Sequence, residues 1–202
     1  TKALGECRDR FTISRTVSDR LRRFNQLDST PLYPPPPLAG RYWFDGFGDF
    51  LLFAGRLDRL KRVDLLIEAL AHTPKDVRLK IAGRGPLEGS LRALAETRGV
   101  ASRVDFLGFV SDDELLTLLA TARAAVYTPV NEDYGYVTLE AFLSGKTLIT
   151  TNDTGGVLEF ATSESGFIAE PTAQSLGAAM TEAWNTPIAR LREMADVGRR
   201  KV

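Results

Sequence analysis

Glu132 and Glu140 stand eight residues apart in the stretch Asn131 to Ile149, with Gly135 between them. Ala124 to Thr128 reads as a buried strand and Tyr134 to Ser144 as a helix, so Glu132 falls on the connecting loop and Glu140 about two turns into the helix. Both carboxylates then flank a helix N-terminus. Its unpaired N–H groups and positive dipole end favour a phosphate, and Gly135 lets the main chain come close to a ligand. A diphosphate held between two carboxylates that accept from sugar hydroxyls describes a nucleotide-sugar. The pair does not decide the matter alone, because two solvated glutamates share this spacing by chance in about one case in sixteen.

Other chemistry-bearing residues sit at comparable junctions. Arg56 and Lys61 follow the apolar run Leu51 to Ala54; a guanidinium offers phosphate oxygens a planar fork and an ammonium a point charge, although these are two of 26 basic residues. Gly83 and Gly85 follow the run Val77 to Ala82, with Pro86 suited to a first helical position. With Gly89 they nearly spell a dinucleotide fingerprint, but the spacing is one residue too long. The acidic residue such a site needs would be Asp105, inside a strand and not at its carboxyl end. An NAD-binding oxidoreductase stands as a minor alternative. Phe109 and Val110 lie on the turn after Gly108, where they could equally cap the core, and Asp112 is placed to cap the next helix. No D-x-D triplet and no His/Cys cluster offers itself to a divalent ion.

The elements that must position these residues alternate. Strands are expected at Leu51 to Ala54, Val77 to Ala82, Val104 to Leu107, Ala124 to Thr128, Thr147 to Thr151 and Phe167 to Ala169. Helices are expected at Val63 to His72, Leu87 to Arg98, Asp112 to Thr121, Tyr134 to Ser144, Val157 to Ala161, Ala173 to Trp184 and Ile188 to Gly198. Such βα repetition argues for a parallel sheet covered on both faces, with ligands outside the carboxyl ends of the strands. Each chemical motif falls at such an end. Residues 1–49 differ: a strand-like Phe11 to Ser14, a basic helix at Arg15 to Asn25, and Tyr33 to Pro37, which must run extended as a stiff linker, an SH3-type ligand being the alternative.

Read in order, Ala54 to Arg62 (AGRLDRLKR), Ile81 to Pro86 (IAGRGP), Phe106 to Leu115 (FLGFVSDDEL), Asn131 to Glu140 (NEDYGYVTLE) and Thr151 to Gly156 (TNDTGG) resemble one family. It is the C-terminal, donor-binding half of retaining GT-B glycosyltransferases that share the E-x7-E motif, the group 1 or family 4-like enzymes. The resemblance covers about Phe50 to Glu170 and extends more weakly to both ends. It implies an α/β fold with a single Rossmann-like domain at 50–202, half of a GT-B pair, its parallel sheet flanked by helices. Residues 1–49 would then be a remnant of the acceptor-binding N-terminal domain and a proline-rich linker. The resemblance gives Arg56 and Lys61 the diphosphate, brings the Gly83 and Gly85 turn close to the nucleotide, and packs the base on Phe109 and Val110. It gives Glu140 the ribose hydroxyls and Glu132 the donor sugar, with no side chain assigned as nucleophile. Main-chain groups of Asp133, Tyr134, Gly135, Tyr136 and Val137 would bind sugar and phosphate. Without a metal site, leaving-group charge falls to Arg56, Lys61 and the helix terminus at Gly135. Thr147 departs from the proline common after Gly-Lys in this family.

Size and composition bound these readings. At 202 residues the chain holds one domain and an attached segment, and two full Rossmann domains would not fit. Equal numbers of basic and acidic residues, 26 each, leave no global electrostatic footprint for nucleic acid or a membrane surface. One cysteine, Cys7, and one histidine, His72, exclude a disulfide framework and argue against zinc, so a cytoplasmic setting is the default. No apolar run reaches a membrane span, and membrane contact is expected only through the absent domain. A first residue Thr1 and the ending Lys201-Val202 suggest a piece of a longer protein.

The expected partners are therefore a nucleotide-sugar donor and that absent domain. The leading reading is a transferase module that passes a sugar to a glycan or lipid-linked acceptor, inactive alone. The Glu-Asp-Tyr-Gly variant leans toward GDP-mannose. A stand-alone nucleotide-sugar-binding module or a split-enzyme subunit is the competing class.

Overall fold

The computed structural model describes residues 2–202 and opens with four short elements: α1 (Lys2–Glu6), β1 (Phe11–Thr12), α2 (Arg15–Asn25) and β2 (Thr30–Pro31). Ser14 begins α2 because its extended backbone leaves the side-chain oxygen free to accept from the Val17 N–H at 3.1 Å. Gln26, left-handed at φ 57, ends the helix by returning its N–H to the Arg22 carbonyl. β1 and β2 pair in parallel through Phe11 with Thr30 and Thr12 with Pro31. The strand-like stretch is thus two residues long, and Pro37 already belongs to a turn at 37–40.

The remainder alternates strand and helix. The elements are β3 (Leu51–Ala54), α3 (Val63–Leu70), β4 (Leu79–Ala82), α4 (Glu88–Thr97), β5 (Val104–Gly108), α5 (Asp112–Thr121), β6 (Ala124–Val126), α6 (Tyr136–Leu143), β7 (Leu148–Thr151), β8 (Gly166–Ala169), α7 (Ala173–Asn185) and α8 (Ile188–Arg199). β3 to β8 form one parallel sheet in the order β5-β4-β3-β6-β7-β8. Counted within the sheet this is 3-2-1-4-5-6, the doubly wound order whose direction reverses between β3 and β6. Burial follows: β3, β6 and β7 are buried at every residue, as strands covered on both faces must be, whereas edge strand β5 exposes every second residue.

The alternation along β3 sends Leu51 and Phe53 into the main core and Leu52 and Ala54 into a smaller one with Leu119 and Ala122. α3 packs on α7 and α4, and α6 packs on α8. Tyr42 and Phe47, ahead of β3, also pack against these cores.

Four local expectations need correction. α6 begins at Tyr136, so Glu140 lies about one turn in, not two. Gly135 is left-handed at φ 79, and Tyr134 leaves the helical path to pack on Tyr33 and Phe160 and donate to the Pro34 carbonyl at 2.8 Å. The stretch Val157 to Ala161 is only a 3-10 turn at Gly156–Glu159, because Glu159 and Phe160 turn toward the N-terminal segment. Ser111, and not Asp112, caps α5: its hydroxyl accepts from the Glu114 N–H while Glu114 accepts from the Ser111 N–H, a reciprocal box. Pro86 precedes α4 by two residues, because the Leu87 N–H is drawn to the Leu57 carbonyl.

Candidate active site

The loops after β3 and β6 leave the sheet on either side of the reversal point, which opens the crevice where such sheets bind ligands. In the β3 loop, Asp58 accepts from the Leu60 and Lys61 N–H groups and forms the turn Arg59–Lys61. That turn aims Lys61 across the crevice, where Nζ donates to Glu132 Oε2 at 2.5 Å and to the Tyr127 hydroxyl at 2.9 Å. Arg56 points outward with its side chain 74% exposed, its nearest carboxylate oxygen 3.8 Å away on Asp58. Its fork is therefore available to another anion. Arg62 has spent its donors on the Thr128 and Pro129 carbonyls, Thr151 Oγ1 and both oxygens of Asp153. It fastens the loops after β3, β6 and β7, and its hydrogen bonds hold the Asp153 carboxyl below the usual range despite partial burial.

The start of α6 is built to stay open. Gly135 is its N-cap, so no side chain accepts from the first turn. Among the described residues, the N–H groups of Gly135, Tyr136 and Val137 have no acceptor, while Thr138 bonds back to Gly135. A Cβ on Gly135 would lie 2.7 Å from Val157 Cγ2, so close packing as well as φ demands glycine here. Three N–H donors without acceptors at the positive end of a helix are an arrangement that suits an anion.

Glu140, one turn on, lines a cavity of about 340 Å³ together with Gly55, Arg56, Gly83, Phe109, Val110 and Val137, among others. Burial raises its carboxyl above the usual range, and a long hydrogen bond from the Tyr42 hydroxyl, 3.4 Å to Oε1, partly offsets this. The Tyr42 hydroxyl is itself pushed up by burial and then by the charge of Glu140. Tyr127 joins the two carboxylates electrostatically: burial first, then Glu132 and more weakly Glu140, push its hydroxyl up, so it stays protonated.

The glycine turn has a packing reason of its own. A Cβ at Gly83 would sit 1.8 Å from the Gly55 carbonyl oxygen, and one at Gly85 would sit 2.2 Å from that of Leu57. Here the loops after β3 and β4 cross, fixed by hydrogen bonds from Leu57 N–H to the Arg84 carbonyl and from Leu87 N–H to that of Leu57. Only Gly83 of the two borders the cavity.

The fold therefore gathers Arg56, Gly83, Phe109, Val110, Val137 and Glu140 around one cavity, and Lys61, Glu132 and Tyr127 into a cluster beside it. Phe109 is 73% exposed at the rim, whereas Val110 also packs on the smaller core. Tyr134 points its ring away from the crevice, and the Asp133 carboxylate and carbonyl are engaged by Arg20 and Ser14. Sequence reasoning missed Tyr42 and Tyr127, which carry no motif, and Arg20 and Ser14, which lie more than a hundred residues away.

A larger cavity of about 620 Å³ between the proline segment and α6 contains none of Arg56, Lys61, Glu132 or Glu140, and its walls are mainly apolar. Among the described residues no group of three His, Cys, Asp or Glu side chains is placed to hold a metal, and no helix is long and apolar enough to cross a membrane.

A doubly wound parallel sheet with an open helix terminus and two carboxylates at its reversal point defines a Rossmann-like domain. The family model described as Glycosyl transferases group 1 matches residues 45–201, and the chain belongs to that family. It is 37% identical over 111 residues to an uncharacterized glycosyltransferase of Methanocaldococcus jannaschii, covering 54% of this chain and 28% of that protein. It is 31% identical over 159 residues to the GDP-mannose-dependent alpha-(1-6)-phosphatidylinositol dimannoside mannosyltransferase of Mycobacterium tuberculosis, covering 77% of this chain and 40% of that one. A crystal structure of S. aureus TarM containing UDP superposes with a TM-score of 0.86 at 16% identity, over 98% of this chain and 41% of TarM.

The chain thus spans less than half the length of these relatives, and its fold is that of the C-terminal, donor-binding domain of a GT-B glycosyltransferase. Family membership sets aside the oxidoreductase alternative. Asp105 is exposed within edge strand β5, away from its carboxyl end.

Proposed function

We propose that this chain is the donor half of a retaining glycosyltransferase that moves a sugar from a nucleotide diphosphate to a glycan or lipid-linked acceptor. One observation carries the reading: Glu132 and Glu140 flank the unpaired N–H groups of α6 at the sheet's reversal point, with Lys61 already on Glu132 and Arg56, held only by a 3.8 Å contact to Asp58, at the cavity. Glu140 accepts from the ribose hydroxyls, its ionised form favoured once they donate to it. The N–H groups of Gly135, Tyr136 and Val137 take the diphosphate with Arg56 and Lys61, and the base lies on Phe109 and Val110. Glu132 orients the transferred sugar and supports positive charge developing at its anomeric carbon, while the cations and helix terminus stabilise the departing diphosphate. Lys61 is then shared between Glu132 and the leaving group, which couples sugar position to departure.

The Mycobacterium relative's use of GDP-mannose and the Glu-Asp-Tyr-Gly sequence at 132–135 support mannose as the sugar. The N-terminal segment supports a second domain. Parallel sheets are ordinarily covered on both faces, yet β1 and β2 stand as a pair with Phe11, Ile13 and Leu32 exposed around them. Residues 1–49 are, on this reading, the remnant of an acceptor-binding N-terminal domain and its proline-rich linker, and without the rest of that domain this chain binds donor and transfers nothing.

Titrating the protein with GDP, UDP, ADP, their sugar conjugates and NAD in the presence of chelator tests the reading. A nucleoside diphosphate and its sugar conjugate should bind without metal, and saturation at about 100 times the dissociation constant should add about 2.7 kcal/mol of stability. Binding of NAD alone, or none at all, contradicts it.

A further inference from the structure

Glu132 sits on an irregular loop, where the preceding residue, Asn131, holds a left-handed backbone at φ 47 that asparagine tolerates, and the loop is held on two sides. One side of the loop is stitched to the loop after β7. Asn131 and Glu132 donate their N–H groups to the Asp153 and Thr154 carbonyls at 3.1 Å, and the Glu132 carbonyl accepts from Gly156 at 2.8 Å. The other side is gripped by α2, which is no part of the six-stranded sheet. The Arg20 guanidinium donates to the Asn131 carbonyl at 2.5 Å and, through its other arm, to Asp133 Oδ1. Ser14, fully buried, accepts the capping N–H of Val17 and donates its own proton to the Asp133 carbonyl at 2.5 Å. Residues immediately before and after Glu132 are thus held by one helix.

We infer that Ser14 and Arg20 are positioning residues for Glu132, through which α2 sets the orientation of the carboxylate that meets the donor sugar. The geometry suits the task. A planar fork can bridge two acceptors on opposite flanks of one residue, which an ammonium cannot. The serine hydroxyl fixes the same loop to the first turn of α2, so helix and loop move as one body. Glu140 has no contact with this grip: it hangs from α6 and faces Tyr42. The inference rests on the nucleotide-sugar reading, since it assigns Glu132 to the sugar.

The test uses Arg20→Ala, Arg20→Lys and Ser14→Ala. Each is titrated with GDP and GDP-mannose and with UDP and UDP-N-acetylglucosamine, and amide exchange is followed across residues 131–135. Arg20→Ala should bind the nucleoside diphosphate within about twofold of wild type while losing about fivefold or more on the matching nucleotide-sugar. Arg20→Lys should fall between the two, and exchange across 131–135 should rise in Arg20→Ala while the melting temperature barely moves. Equal losses on both ligands, or no loss on either, overturn the positioning role while leaving the donor site intact. Wild type that binds neither ligand overturns the nucleotide-sugar reading and this inference with it.

Discussion

Gly135→Ala probes the point on which the donor site turns. At φ 79 and ψ 66 an alanine pays about 1–2 kcal/mol for its left-handed backbone. Its Cβ would also stand 2.7 Å from Val157 Cγ2, a stiff β-branched and buried neighbour, and overpacking of this kind costs about 1–3 kcal/mol. Together these predict a loss of about 2–5 kcal/mol, or a melting point lower by roughly 4–20 °C at this chain length. Relief of the contact shifts the first turn of α6, so nucleoside diphosphate affinity should fall about tenfold or more. Pairing the substitution with Val157→Ala removes the clash and not the backbone strain, so the double variant should be more stable than the summed single losses by about 1 kcal/mol. Thermal denaturation and nucleotide titration measure both effects. A Gly135→Ala protein that melts within about 1 °C of wild type and binds normally would refute the argument from left-handed geometry and close packing.

Removing Lys61 by alanine leaves Glu132 half-buried without its partner, which should cost about 1–3 kcal/mol in chemical denaturation and about ten- to a hundredfold in diphosphate affinity; unchanged values would show that Lys61 is not the clamp. Glu159 fastens α2 through the Arg15 and Thr16 N–H groups and the Thr16 hydroxyl, and the segment after β2 through the Tyr33 hydroxyl. Burial opposes its ionisation, but hydrogen bonds led by those of Thr16 outweigh that and hold its carboxyl below the usual range. A carboxyl lowered by folding contributes stability above its unfolded pKa and loses it as pH falls through the folded value, so protease protection of residues 11–33 should weaken on acidification in wild type and lose that step in Glu159→Gln. Burial raises the Glu140 carboxyl, so on acidification it takes up its proton before an exposed glutamate would and ceases to be an ionised acceptor for ribose. Nucleoside diphosphate affinity should therefore begin to fall, on acidification, above the ordinary glutamate range, and Glu140→Gln should lose this step.

The sheet was legible because its central strands are short apolar runs bounded by turn residues, and Leu51 to Ala54 matches β3 residue for residue; among the helices, Asp112 to Thr121 matches α5. Element starts were less so, because they are decided by distant partners. Nothing near Tyr134 announces that its ring belongs with Tyr33 and Phe160, yet that contact shortens α6 by two residues. The cap of α5 was different, since Ser111 and Glu114 spell the reciprocal box locally and Asp112 competed for the same place. At the site, loop motifs located the crevice, but the partners that tune it are motif-free aromatic and serine side chains. The same limit applies to Lys146, whose burial no local motif announces: it is fully buried, bonded to the Gly46 carbonyl against Phe44 and Phe47, with burial lowering its pKa to about 8.

One titration separates the roles of the two glutamates. Glu132→Ala and Glu140→Ala are each measured with a nucleoside diphosphate and with its sugar conjugate. Glu140→Ala should weaken both ligands by a similar factor, because the ribose is common to them. Glu132→Ala should leave the nucleoside diphosphate nearly untouched and weaken only the sugar conjugate. Equal losses of nucleoside diphosphate affinity in the two variants would contradict it.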